Sequence, residues 1–140
     1  MLTNIRRMFR LSPKEQQMVQ VRPKVSIDFH IRNELVFLLI QNFSPQAAHD
    51  VKIGFSRDLL ILGDRSLKEL SVFSKLRYLA PFREIEVFLD PAERFFQQFE
   101  DAETVVEVKL SFRGDARKTF KTTITHDLAI YQDLPTIINT

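Results

Sequence analysis

The chain has no cysteine, no tryptophan and only three glycines among 140 residues. Without cysteine there is no disulfide framework, no thiolate metal site and no cysteine nucleophile. The shortage of glycine argues against any mechanism that needs a glycine-rich phosphate loop. No stretch approaches the roughly 18 consecutive apolar residues of a membrane span. The longest apolar run, Leu35 to Ile40, is strand length. The basic N-terminus lacks the apolar core of a secretory signal. These absences together describe a cytoplasmic chain.

What is present is enough apolar residue for one core: 44% of the chain, with thirteen phenylalanines supplying most of the aromatic bulk. Charge is divided unevenly. Residues 1–24 carry Arg6, Arg7, Arg10, Lys14, Arg22 and Lys24 against the single acid Glu15. The remainder is mildly acidic, which is the reverse of a globally basic nucleic-acid binder, so nucleic acid is not an expected partner.

Local patterning divides the chain into a basic helical leader, 1–23, and a β domain, 24–140. Ser12-Pro13-Lys14-Glu15 is a helix start with a capping box, and Pro23 forbids that helix from continuing. If residues 2–10 are helical, Leu2, Ile5, Met8 and Phe9 lie on one face, with Arg6, Arg7 and Arg10 largely elsewhere. Beyond Pro23 the period changes to two. Val25, Ile27, Phe29 and Ile31 alternate with polar residues, as do Val51, Ile53 and Phe55, and Ile85, Val87 and Leu89. Leu35 to Ile40 is apolar on both faces and is placed centrally. Leu59 to Leu62 reads as a further short extended segment, and Ser66 with Glu69 as one capped helical turn. Asp90-Pro91-Ala92-Glu93 is a second helix start, with Asp90 as cap and Pro91 in the first helical position. Ala92, Phe95, Phe96 and Phe99 then form one apolar stripe, read as core. Residues 57–81 are the least regular.

The last hairpin can be registered by parity. Val106, Val108, Leu110 and Phe112 share a face with Phe120, Thr122 and Ile124 only if the loop has an odd number of residues. A two-residue turn would aim Lys121 at the core. A three-residue loop pairs Leu110 with Phe120; a five-residue loop keeps the same faces. Seven or so strands with little helix predict an immunoglobulin-like antiparallel β-sandwich with a short N-terminal helix and one short inserted helix.

Val36-x-Leu38-x-Ile40-x-Asn42, followed by Ala48-x-Asp50-Val51-x-Ile53-x-Phe55, resembles bacterial immunoglobulin-like domains of the CARDB or fibronectin-like kind. Tyr78-Leu79-Ala80-Pro81 before Ile85–Leu89 resembles the turn ahead of a later strand, and 105–124 the last strand pair. Residues 24–127 are covered. The glycine usual after Asn42 is replaced by Phe43-Ser44, and the one usual after Ala80-Pro81 by Phe82. The resemblance implies a fold, and fold alone implies no activity.

Sites for chemistry are sparse. His30, His49 and His126 lack the spacing that would converge on a metal. Glu84 and Glu86 share a strand face that points to solvent, away from the burial that tunes a catalytic pair. Arg113-Gly114-Asp115 reads as ordinary hairpin-tip chemistry. No catalytic, metal or cofactor role is expected. Two surfaces remain as candidates. Leu2, Ile5, Arg6, Arg7, Met8, Phe9 and Arg10 could lie on an anionic membrane, dock in a partner's groove, or pack on the chain's own domain. Lys109, Arg113, Arg117 and Lys121, placed together on the outward face of the last hairpin, could hold an anion or acidic partner. The expectation is a non-enzymatic protein-interaction or scaffold module, with self-association through edge strands and membrane-peripheral attachment as alternatives.

Overall fold

The computed structural model describes residues 22–100, 103–115 and 117–131. The expected helix in the leader, and the contact residues Leu2, Ile5, Arg6, Arg7, Met8, Phe9 and Arg10, lie outside them.

Strand β1, Val25–Arg32, buries Val25, Ile27, Phe29 and Ile31 and exposes or half-exposes the residues between. Asn33 and Glu34, both at positive φ (53° and 62°), then form a two-residue turn. This is the primed geometry whose twist suits a tight hairpin. Strand β2, Leu35–Asn42, pairs antiparallel with β1. Its other neighbour is β7, Glu84–Pro91, so the segment apolar on both faces is indeed the central strand of a three-stranded sheet. The second sheet has four antiparallel strands. β3, Ala48–Phe55, lies between β6, Leu76–Leu79, and β8, Val105–Arg113, and β9, Thr119–Asp127, follows at the edge. A minor pair, β4 (Leu60–Ile61) with β5 (Arg65–Ser66), and short 3-10 turns occupy the connection between β3 and β6. The chain is mainly β.

The buried faces of the two sheets meet in one core. Leu38 and Ile40 from the first sheet and Val51, Val106 and Val108 from the second are fully buried. Period-two burial is therefore the dominant folding signal, each buried aliphatic side chain contributing about 1.5–3 kcal/mol before entropy is set against it. Helix α1, Ala92–Gln97, closes one end with Phe95 and Phe99 buried and Phe96 half-buried. Their ring centroids lie 5.3–6.4 Å apart, Phe95 meeting Phe96 and Phe99 edge to face.

Several local expectations are corrected. Asp90 does not cap α1: β7 keeps pairing through Pro91, which itself takes the cap position in extended conformation. A bulge between Val36 and Phe37 of β2 and the facing β7 residues turns Asp90 inward beside Leu89. Ser66 precedes a single 3-10 turn, Leu67–Glu69, but its hydroxyl donates to Asp58 and accepts no hydrogen bond from the turn. Strand β6 falls in the segment read as irregular. The odd loop expected for the last hairpin is found, in its five-residue form: Leu110 faces Thr122 and Phe112 faces Phe120, across the connection 114–118.

Candidate binding face

The outward face of the four-stranded sheet is set by the same registers. Across β3, β8 and β9, Lys52, Ser111 and Lys121 form one row, and Gly54, Lys109 and Thr123 the next. Lys109 thus lies diagonal to both other lysines, about 7–8 Å away backbone to backbone. Lys52 and Lys121 are two strands apart, about 9–10 Å. Gly54 brings no side chain to its place in the second row, and nothing lies within 4 Å of where its Cβ would stand. The result is an open groove of about 790 Å³ lined by these residues. None of the three lysines has a carboxylate partner among the described residues. At about 8 Å in water each like-charge pair costs roughly 0.5 kcal/mol. The fold tolerates this repulsion without a counter-ion of its own, and an anion seated between the ammonium groups would reverse its sign.

The sequence pattern placed Lys109, Arg113, Arg117 and Lys121 together. The register keeps Lys109, Arg113 and Lys121 on that outward face, Arg113 lying as diagonal to Lys121 as Lys109 does, but Arg113 is ion-paired and Arg117 is in the loop. Arg113 is held by Asp50 through Nη2 at 3.0 Å and Nε at 3.3 Å. Asp50 reaches it because a bulge between His49 and Lys52 leaves Asp50 unpaired at φ 49°. Arg117 stands in the loop at φ 63°, off the strand face, its N–H donating to the Gly114 carbonyl. Lys52, which sequence reasoning missed, joins the unpaired cations of this face. Its outward direction was legible from the Val51–Ile53–Phe55 alternation, but its neighbours were not.

The remaining polar candidates serve the fold. His49 Nε2 lies 2.9 Å from Asp115 Oδ1, with the Tyr78 ring against the imidazole at 5.5 Å. Arg113 and Asp115, the charged members of the hairpin-tip tripeptide, are thus both tied to the sheet. His126 Nε2 meets the Ile27 carbonyl at 2.9 Å, stitching edge strand β9 to edge strand β1. Glu86 pairs with Arg32 at 2.8 Å and Glu84 accepts from Gln41 at 2.6 Å, both at the surface.

The end of the two sheets where β1 begins is built around Asn42. This buried side chain donates to the carbonyls of Gln46, Leu79 and Ala80 and accepts from Ser44. It thereby locks the loop 43–47 to the turn 80–83. Within that turn the Arg83 N–H donates to Ala80, Pro81 holds the second position, and Phe82 the third at φ 56°. Such a turn ordinarily has glycine third, since a side chain at positive φ is strained.

Residues 2–132 match the family model described as Domain of unknown function (DUF8453). The chain belongs to that family. No curated protein and no solved structure matches it. Among the described residues of this DUF8453 member, no helix is long and apolar enough to cross a membrane.

Proposed function

We propose that this DUF8453 domain is a non-enzymatic protein-interaction module of immunoglobulin-like architecture, and that the lysine face of its four-stranded sheet receives an acidic segment of a partner protein. The architectural part is supported by strand order. With β1, β2 and β7 as strands A, B and E, and β6, β3, β8 and β9 as C′, C, F and G, the two sheets follow the immunoglobulin pattern with C′ joined to the C–F–G sheet. The same assignment keeps the likeness to CARDB and fibronectin-like domains as a proposal about ancestry of the fold, not of activity.

The functional part is carried by one observation: three lysines around a glycine-floored groove, none of them within ion-pair distance of a carboxylate among the described residues. Exposed ammonium groups on a rigid sheet attract an extended acidic segment and steer its approach, with little loss of order on binding. Fluorescence anisotropy with labelled hexaglutamate tests this in low salt. The full chain binds, and Lys109→Glu with Lys121→Glu abolishes binding while leaving the melting temperature unchanged. A reversed-charge chain that binds hexaglutamate as well as the parent sinks the reading. Affinity capture from the native host with the same pair then identifies the partner as the protein lost from the variant.

A further inference from the structure

Two phenylalanines at the end built around Asn42 stand in water. Phe82 is 69% exposed and Phe43 56% exposed. Phe82 holds its exposed position at a backbone angle that glycine would adopt without strain. A bulky ring kept at such an angle in an over-determined turn points to a use for the ring. The loops that carry both rings are not slack. The Phe43 N–H donates to the Lys24 carbonyl at 2.9 Å, Phe82 N–H to Ser44 at 3.3 Å, and Asn42 N–H to Arg83 at 2.9 Å. The rings are therefore presented, side by side in the bonded network, by fixed backbone.

Charge at this end is mainly positive. Arg83 follows Phe82 in sequence, and the Lys24 carbonyl accepts from the Phe43 N–H, so both cations belong to the segments bonded at this end. Arg22 lies over the Phe120 ring at 5.2 Å, with the Lys118 ammonium 5.8 Å from the same ring. Arg117 is exposed on the adjoining loop. The acids nearby are fewer: Glu84 accepts from Gln41, Asp115 contacts His49, and Asp50 is paired with Arg113.

We infer that this end of the molecule docks on an anionic lipid surface, with Phe43 and Phe82 entering the headgroup layer and Lys24, Arg83 and Arg22 meeting lipid phosphates. Protruding rings in a basic collar suit a planar, deformable, negatively charged surface, since apolar insertion and electrostatic attraction add without a complementary pocket. The lysine face lies on the flank of the sheet rather than at its end, so the two contacts are compatible and independent.

Co-sedimentation of the full chain with phosphatidylglycerol–phosphatidylcholine vesicles and with phosphatidylcholine vesicles tests the inference. The parent pellets with the first and stays in solution with the second. Phe43→Ser with Phe82→Gly lowers vesicle affinity about tenfold or more, as expected for removal of two inserted rings. Its melting temperature does not fall, because the glycine relieves strain. Lys24→Glu with Arg83→Glu gives a comparable loss, whereas Lys109→Glu with Lys121→Glu binds vesicles like the parent. Absence of parent binding to phosphatidylglycerol overturns the inference. So does undiminished binding by the ring variant, which would leave the leader alone responsible, or an equal loss in the lysine-face variant, which would reduce the effect to general charge.

Discussion

The two ends of this molecule treat the same residue type in opposite ways. At the end closed by α1, Phe95 and Phe99 are buried to within 2% of full cover, and the Arg57 guanidinium lies 4.7 Å from the Phe99 ring centre. Phe55 and Phe73 meet edge to face nearby at 5.1 Å. At the end built around Asn42, the buried centre is a polar hub and the rings of Phe43 and Phe82 stand outside it. A chain able to tuck several aromatic rings under one end has no general difficulty covering phenylalanine. Cohesion at the first end therefore comes from apolar area, and at the second from hydrogen bonds that hold the loops while leaving their rings free.

The largest effects should separate the ends most plainly. Phe95→Ala leaves a cavity in the core and is expected to cost about 3–5 kcal/mol. Phe43→Ala, on the same scale, should stay within about 0.5 kcal/mol. Chemical denaturation of the two variants checks the contrast, and a Phe43→Ala loss comparable to that of Phe95→Ala would erase it. Next in size is the hub. Asn42→Ala removes three donated bonds and the acceptor for Ser44, leaving buried carbonyls unmet. The expected cost is about 2–3 kcal/mol. Hydrogen exchange gives a second readout: the Ser44 and Phe82 amides should lose protection while Leu38 and Ile40 keep theirs. Uniform loss across both groups would mean that the hub supports the whole core and not the loops in particular.

Much of this contrast was written in the sequence, and the rest could not have been. Alternation in β1, β3, β8 and β9 fixes which side chains point inward, because the pleat admits only two directions. The apolar stripe from Ala92 to Phe99 likewise marks a helix face that must be covered. Parity shows that the last loop is odd but not whether it holds three or five residues, since both leave Leu110 and Phe120 on one side. Which strands lie together is a non-local fact. Lys52 reads as outward-facing from its neighbours alone, yet its place beside Ser111 depends on β3 pairing with a strand more than fifty residues later. The bulge that gives Asp50 to Arg113 leaves no local signal, and the pairing of Arg113's charge results from it. β6 escapes notice because Leu76 and Leu79 point inward across the adjacent exposed residues Arg77 and Tyr78, breaking the period. Leu2 to Arg10 fall outside the described residues and take no part in the comparison.

The smallest expected effect concerns the one buried acid at the closed end. Asp90 lies at the β7–α1 junction with Oδ1 lacking any hydrogen-bond partner and Oδ2 3.6 Å from Arg94 Nε. Burial pushes its pKa up from the ordinary carboxylate value; Arg94 opposes the shift and Asp64 adds to it. A carboxyl whose pKa is higher folded than unfolded favours the native state while both forms are protonated. That contribution is complete below the unfolded value, near 4, and is lost as pH rises through the folded one. At neutral pH the charged carboxylate therefore weakens the end that apolar packing otherwise secures. Asp90→Asn keeps the shape and removes the charge, and should raise stability at pH 7 by about 1 kcal/mol, because a neutral amide costs less to bury than a carboxylate. The gain should shrink as the pH is lowered toward 4, where the parent becomes neutral too. Thermal melts of both proteins across that range measure it. A variant less stable than the parent at pH 7, by an amount that does not change with pH, would show that the Arg94 contact outweighs desolvation and that the closed end, too, is held in part by charge.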